Sequence, residues 1–296
     1  MIIQNEKVRN WIAEAMDVPP TSIKGITDLK KGMTNDSFLF QYKNRKYIMR
    51  IPGVGTERLI NRQREASVYE AIAGMDISDK IIYINPETGC KITEFWEGAR
   101  TCDANNEDDL KACMKKMKEF HSMKLSVEHE VDIYQQIEFY ESLRGGKVSA
   151  YQDYEITKKN VYFLKEYVAS QRKDWCLTHI DAVPDNFLFT AQGDIRLIDW
   201  EYAGMQDPHV DIAMFCIYSC YDKCQVDRLI RIYFENECLD AVRIKIYCYI
   251  AAGGLLWSNW CEYKRSVGVE FGEYALRQYQ FAKDYCRLAI EEMNKG

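Results

Sequence analysis

Apolar residues recur at Val8, Trp11, Ile12 and Ala15, the helical spacing of one amphipathic segment over 4–16, which Pro19 and Pro20 stop. Beyond the prolines the pattern changes to strands. Segments 23–29, 38–42 and 47–51 read as three of them, the last two joined by a turn at Lys43-Asn44-Arg45-Lys46. A helix is predicted over 57–73, then strands over 81–84 and 91–95 around the turn Pro86-Glu87-Thr88-Gly89. From about 105 the helical period returns, over 107–121, 133–143 and 155–171, with Gly145-Gly146 breaking the second of these. The shift near residue 98 divides the chain into an N-terminal part (1–98) with a five-stranded antiparallel sheet and a larger, mostly helical part (99–296). The predicted fold class is α+β.

One stretch interrupts the helical part. An apolar run ends in His179-Ile180-Asp181, and Asn186 follows five residues after that aspartate. A short strand, a turn at Gln192-Gly193-Asp194 and a second strand then deliver Asp199. Phosphoryl transfer from ATP needs such a set: a carboxylate to orient and deprotonate a hydroxyl, and an amide oxygen with a second carboxylate to hold Mg²⁺. The competing reading is a β-hairpin whose polar residues cap turns. It requires four polar residues to fall at this spacing by accident.

Other positions fit a nucleotide by their order in the chain. The loop containing Gly32, Thr34 and Asn35 offers backbone N–H groups and a hydroxyl to phosphates, although one glycine in a hairpin is also simply a turn. Arg50, near the end of the third strand, can grip phosphates as a permanent cation, with Glu65 on the following helix steering it. An ordinary strand arginine and a surface carboxylate are the alternative. Glu94, Phe95 and Trp96 stand between the sheet and the helices, where adenine would be held by backbone hydrogen bonds. Late in the chain Trp257 and Trp260 are three apart, on one side of a helix, with Tyr274 beyond them. Such rings can cage a quaternary ammonium by cation–π attraction. On physics alone, core packing is the commoner use of such a pair.

Composition narrows the partners. A net charge of −6 over 296 residues argues against nucleic acid and leaves room for a cationic ligand. Eleven cysteines, with no Cys-x-x-Cys pair and no basic-then-apolar leader, indicate reduced thiols and a cytoplasmic setting. Cys216, Cys220 and Cys224 recur at four-residue steps and are expected to line one helix face as small apolar residues. His121, His129 and His209 form no metal-like grouping and read as solvated or core histidines. The apolar segment 246–257 is shorter than the ~20 residues a bilayer span needs, so a buried helix is expected and no membrane insertion. In Asp207-Pro208-His209-Val210-Asp211, the proline suits a helix start capped by Asp207, and Asp211 is placed to stabilise nearby backbone N–H groups.

Taken together, Gly32-Met33-Thr34-Asn35, Met49-Arg50-Ile51-Pro52-Gly53, the 179–186 run, the 198–204 run with Asp207, Pro208 and Asp211, and the 256–260 run resemble the choline/ethanolamine kinase family, of the bacterial phosphocholine-pathway type. That family lies within the wider aminoglycoside-phosphotransferase and protein-kinase-like fold. The resemblance implies a two-lobed fold, ATP and Mg²⁺ as cofactors, and phosphorylation of the choline hydroxyl to give phosphocholine and ADP. It implies Asp181 as base, Asn186 and Asp199 as metal ligands, and Arg50 with Glu65 as the phosphate-side pair. Trp257, Trp260 and Tyr274 would be the choline cage, with Glu201 adding negative charge and Tyr221 and Asp222 as further cage candidates. One departure is Ile180, where the family commonly has asparagine. Aminoglycoside, ethanolamine or other amino-alcohol phosphorylation on the same fold is the alternative enzyme reading. A nucleotide-binding regulator without turnover is the alternative outside enzymes.

Overall fold

The computed structural model describes residues 2–31, 35–53 and 55–295, the side chains of 2–5, 30 and 31 excepted. Its contacts group residues into two compact units, Met1–Thr101 with Leu188–Tyr202, and Cys102–Phe187 with Ala203–Gly296. Residues 188–202, which carry a later hairpin, therefore belong by contact with the sheet-bearing unit, although their sequence position lies deep in the helical part expected over 99–296.

The first unit opens with α1 (Ile2–Met16) and continues through β1 (Lys24–Lys31), β2 (Asn35–Tyr42) and β3 (Arg45–Pro52) to α2 (Arg62–Ala71). β4 (Ile81–Ile84) and β5 (Lys91–Glu94) complete a five-stranded sheet ordered β1-β2-β3-β5-β4, and each neighbouring pair is antiparallel. The period-two alternation buries one face: Phe38, Phe40, Tyr47, Met49 and Ile92 pack with Val8 and Ile12 of α1. α2 begins five residues later than the apolar pattern suggested. The Asn61 side chain accepts the N–H of Arg64 and caps the helix there, while Leu59 and Ile60 still close turns onto Thr56.

β6 (Arg100–Thr101) pairs with β8 (Phe187–Phe189), which turns into β9 (Ile195–Leu197). Two contacts draw this hairpin to the first unit. The Leu197 N–H bonds the Ile77 carbonyl at 2.8 Å, and Arg196 meets Asp76 at 2.8 Å.

The second unit is mostly helical: α3 (Glu107–Ser122), α4 (Ile133–Ser142), α5 (Tyr154–Ser170), α6 (His209–Tyr218), α7 (Lys223–Tyr233), α8 (Asp240–Ser266) and α9 (Glu273–Met293). Short strands β7 (Cys176–Thr178) and β10 (Gly204–Gln206) pair antiparallel between them. The apolar 246–257 segment lies inside α8 and is buried throughout, as a core helix should be. No helix among the described residues is long and apolar enough to cross a membrane. Gly254 lets α8 and α9 approach closely: a Cβ there would lie 2.6 Å from the Gln278 carbonyl oxygen and 2.7 Å from the Ala282 nitrogen. The cysteine face is not formed. α6 ends at Tyr218, so Cys216 is buried within it, Cys220 follows in a left-handed turn (φ 53°), and Cys224 is exposed on α7.

Candidate active site

The first unit gathers a buried ionic network around Arg50. β3 carries Arg50 to the edge of α2, where its guanidinium meets Glu65, and one of its nitrogens also reaches Asp199 just after β9. The predicted Arg50–Glu65 pair is therefore formed. The network is larger than the sequence suggested. Arg62, one turn before Glu65, places one nitrogen 3.0 Å from Glu65 and 3.0 Å from Glu201. Asn35 donates to the same Glu201 oxygen at 3.0 Å. Lys91 approaches Glu65 at 3.7 Å and sits over the Tyr69 ring at 4.3 Å.

Arginines and carboxylates alternate here because neither could be buried alone. Burial by itself would raise the Glu65 carboxyl, but Arg50, with Lys91 and Arg62, holds it below its ordinary value. Burial would lower Arg50, and Glu65, Asp199 and Glu201 raise it instead. Glu201 goes the other way: burial and the neighbouring Asp199 outweigh Arg50 and Arg62 and push it up. Carboxylate oxygens of Glu65, Asp199 and Glu201 all lie within 4.8 Å of one another, a concentration of hard oxygen donors.

Placement differs from expectation for several residues. Glu201, read as negative charge beside a substrate cation, is buried and taken up by Arg62 and Asn35. The N–H groups of Glu94 and Phe95 are already bonded to the carbonyls of Lys80 and Lys46, so backbone donation from these two is committed to the fold. Trp96 stacks beneath the Arg196 guanidinium at 5.3 Å. Gly32 and Thr34 lie outside the described residues.

In the second unit, β7 leads into the 179–186 run, and Pro184–Asn186 form a single 3-10 turn. That turn folds Asn186 back onto Asp181. The amide nitrogen of Asn186 donates to the Asp181 carbonyl at 2.8 Å and to its carboxylate at 3.0 Å. Committing the nitrogen end in this way leaves the amide oxygen of Asn186 as its end for a hard cation. Asp211, at the start of α6, fulfils its predicted use: its two oxygens accept the N–H groups of His179 at 3.0 Å and Ile180 at 2.7 Å.

The late aromatic residues form a continuous row. Trp257 meets Trp260 edge-on at 6.0 Å, Trp260 meets Phe271 at 5.0 Å, and Phe271 meets Tyr274 at 6.3 Å. Tyr274 then meets Tyr218 at 6.3 Å, and the Tyr218 hydroxyl donates to Asp185 at 2.9 Å. Burial raises the Tyr274 phenol well above its ordinary value, with Cys261 and Asp181 adding to the shift. Tyr218, not Tyr221, is the tyrosine of α6 and its following turn that joins this row. Tyr221 is buried with its hydroxyl on the Ala104 carbonyl, and Asp222 caps α7 through a reciprocal bond with Gln225. No motif spacing marks Asp185 or Tyr218; an aspartate directly before Asn186 is the available signal.

A family model described as choline/ethanolamine kinase matches residues 26–227. Protein LicA of Haemophilus influenzae is 28% identical over 269 residues, which cover 85% of this chain and 77% of that protein. The crystal structure of choline kinase LicA from Streptococcus pneumoniae superposes with a TM-score of 0.84 at 28% identity, covering 96% of this chain and 99% of that one. A LicA structure in complex with AMP superposes at 0.79 with 30% identity, covering 90% and 92%.

Proposed function

Since the chain belongs to the choline/ethanolamine kinase family, we propose that it transfers the γ-phosphoryl group of ATP to the hydroxyl of choline, giving phosphocholine and ADP. That it is a kinase-like phosphotransferase acting on an alcohol follows from the family itself, as does its α+β, protein-kinase-like fold. Choline as the acceptor rests chiefly on one observation, the row from Trp257 through Trp260, Phe271 and Tyr274 to Tyr218, ending on the Asp185 carboxylate. A trimethylammonium has no N–H to donate, so ring faces and a nearby negative charge are its natural partners, each ring contributing up to ~2 kcal/mol when desolvated. A primary ammonium would instead demand several hydrogen-bond acceptors.

In this reading the sheet-bearing unit receives the nucleotide and the helical unit the acceptor. Asp181 orients the choline hydroxyl and takes its proton as the phosphoryl group transfers. Asn186 holds that carboxylate in place through its amide nitrogen. The Asn186 oxygen and the Asp199 carboxylate would hold Mg²⁺, and both are the hard oxygen donors that this ion takes. When bound, the ion neutralises charge on the phosphates. Arg50, aimed by Glu65, supplies a fixed cation toward the same phosphates. Glu201 does not face the substrate in this reading and serves, with Arg62, as support for Arg50 and Asn35. Asp185 takes over the part of the extra carboxylate near the substrate cation. The AMP complex of a LicA relative supports nucleotide use.

Steady-state turnover on choline, ethanolamine and kanamycin tests the assignment. Choline is expected to have the highest kcat/KM, and Trp257→Ala to raise the KM for choline while leaving that for ATP unchanged. Equal use of all three acceptors, or a Trp257→Ala variant that only melts earlier, would overturn it.

A further inference from the structure

The base reading assigns Asp181 the proton of the acceptor but leaves open what fixes the peptide just before it. That peptide is unusual. Ile180 is β-branched and buried yet sits at φ 68°, a left-handed conformation that costs roughly 1–2 kcal/mol for a residue with a Cβ. The N–H groups of His179 and Ile180 both donate to Asp211 and hold it there. Asn186 fixes the Asp181 carboxylate from within the loop, and the Asp211 carboxylate fixes the peptide that precedes it.

A third donor decides that. The Nε2 of His121, from α3, lies 3.0 Å from the same Asp211 oxygen that accepts the His179 N–H. The other ring nitrogen of His121 is 2.8 Å from the Tyr233 hydroxyl on α7. His121 is 3% exposed and Asp211 0%, so water does not compete for these bonds. The carboxylate can only accept, so Nε2–H donates to it; on the neutral ring this leaves Nδ1 to accept the tyrosine O–H. α3 thus reaches the α6 carboxylate through His121, which α7 backs through Tyr233, and the two carboxylate oxygens are shared among three N–H donors.

We propose that His121, acting through Asp211, is a positioning residue for Asp181. The proposal rests on the reading of Asp181 as the base. His121 touches neither substrate nor nucleotide. It pins the rotamer of Asp211, which pins the left-handed peptide at Ile180, which sets the direction of the Asp181 side chain. A displacement of about 1 Å at a reacting group can cost about 10²-fold in rate.

The test compares His121→Leu, His121→Gln, Tyr233→Phe and Asp181→Asn in the full-length protein. For each, kcat, both KM values and Tm are measured, together with the amide proton shifts of His179 and Ile180 by NMR. His121→Leu is expected to lower kcat about 10- to 100-fold with both KM values within about 2-fold, and to shift both amide resonances. Glutamine can place an N–H where Nε2 stands, so His121→Gln should recover kcat to within about 5-fold of the parent, on the same scale. Should His121→Leu fail to fold, Tyr233→Phe carries the test through a smaller fall in kcat at unchanged KM. Loss of kcat in leucine and glutamine variants alike, in step with Tm, would assign His121 a purely structural role and overturn the proposal. So would an unchanged kcat in Tyr233→Phe together with an unfolded leucine variant. If Asp181→Asn is inactive while His121→Leu turns over normally, the positioning proposal fails alone. If Asp181→Asn itself retains turnover, the base reading fails and takes the proposal with it.

Discussion

Replacing Gly89 with alanine probes the ionic network from outside, because the turn before β5 lies directly on the Arg62 side chain. An added Cβ would stand 2.4 Å from Cδ, 2.6 Å from Nε and 2.8 Å from Cγ of Arg62. Reaching an ordinary contact of 3.4 Å requires the arginine stem to withdraw by about 1 Å. Its head cannot follow freely, since one nitrogen is shared at 3.0 Å between Glu65 and Glu201. A shift of that size stretches both bonds past hydrogen-bond range and leaves two buried carboxylates short of a cation. Removing a buried partner outright costs about 3–5 kcal/mol, and overpacking about 1–3, so a displaced but still nearby arginine should cost roughly 2–4 kcal/mol. The left-handed backbone adds a further term of about 1 kcal/mol. Gly74 isolates that last term: it has φ 75° against 72° at Gly89, and an added Cβ there meets nothing within 4 Å. Thermal unfolding followed by circular dichroism is the assay. Gly89→Ala is expected to melt roughly 5–10 °C below Gly74→Ala, at about 2–4 °C per kcal/mol for a chain of this size. In an Arg62→Ala background that difference should vanish. Equal melting of the two alanine variants in the parent background would show that Arg62 is not held as described.

Two other outcomes follow from single residues. Ile180→Gly should be more stable than Ile180→Ala by about 1 kcal/mol, the reverse of the usual order, because at φ 68° glycine escapes the Cβ penalty; urea unfolding of the pair checks this, and an alanine variant at least as stable would refute it. His209 is held down to about 4 by burial, while Asp207, already taken by Lys245 at 2.6 Å and Tyr249 at 3.1 Å, opposes this only in part. Its folded pKa lies below the unfolded value of ~6.5, so its stability contribution is present above pH ~6.5 and is lost progressively as pH falls toward 4, up to roughly 3 kcal/mol. The melting temperature of His209→Gln should accordingly fall less than that of the parent between pH 7 and 5, and parallel curves would refute the assignment.

What could be read from the chain and what could not divide along physical lines. The strands of the sheet were legible because one buried face imposes period two on Phe38, Phe40, Tyr47 and Met49. Asp181 and Asn186 were legible because a 3-10 turn of fixed length joins them, so their spacing is their geometry. Arg62 was missed: it stands three residues before Glu65 like many helix-surface pairs, and only Glu201, 139 positions away, reveals that it is buried. His121 was read as a solvated or core histidine; it is a core one, and its bonds were hidden because its partners come from α6 and α7. Tyr218 and Asp185 meet across 33 positions with no local periodicity to announce it. The grouping of the β8–β9 hairpin with the first unit rests on the Leu197–Ile77 and Arg196–Asp76 contacts, which no local pattern encodes.

Ile180 and Asp199 share a backbone property. Both are non-glycine residues in the left-handed region, at φ 68° and 67°, and each adjoins or is a residue assigned to the chemistry. A left-handed conformation at such sites persists only where surrounding contacts over-determine it. At Ile180 those contacts are the Asp211 carboxylate and, behind it, His121 and Tyr233. At Asp199 they are Arg50 on its side chain and, one residue on, the Trp200 indole bonded to the Leu197 carbonyl at 2.7 Å. The family habit of asparagine at the position of Ile180 has the same physical root, because asparagine tolerates φ > 0 where a β-branched residue does not. Isoleucine at this place gives up that tolerance and gains a buried apolar side chain, 2% exposed, against the same core. The left-handed peptide just before the candidate base is thus maintained here by hydrogen bonds from outside the loop rather than by the conformational preference of Ile180 itself, which is why the variants at His121 and Tyr233 bear on turnover and those at Ile180 on stability.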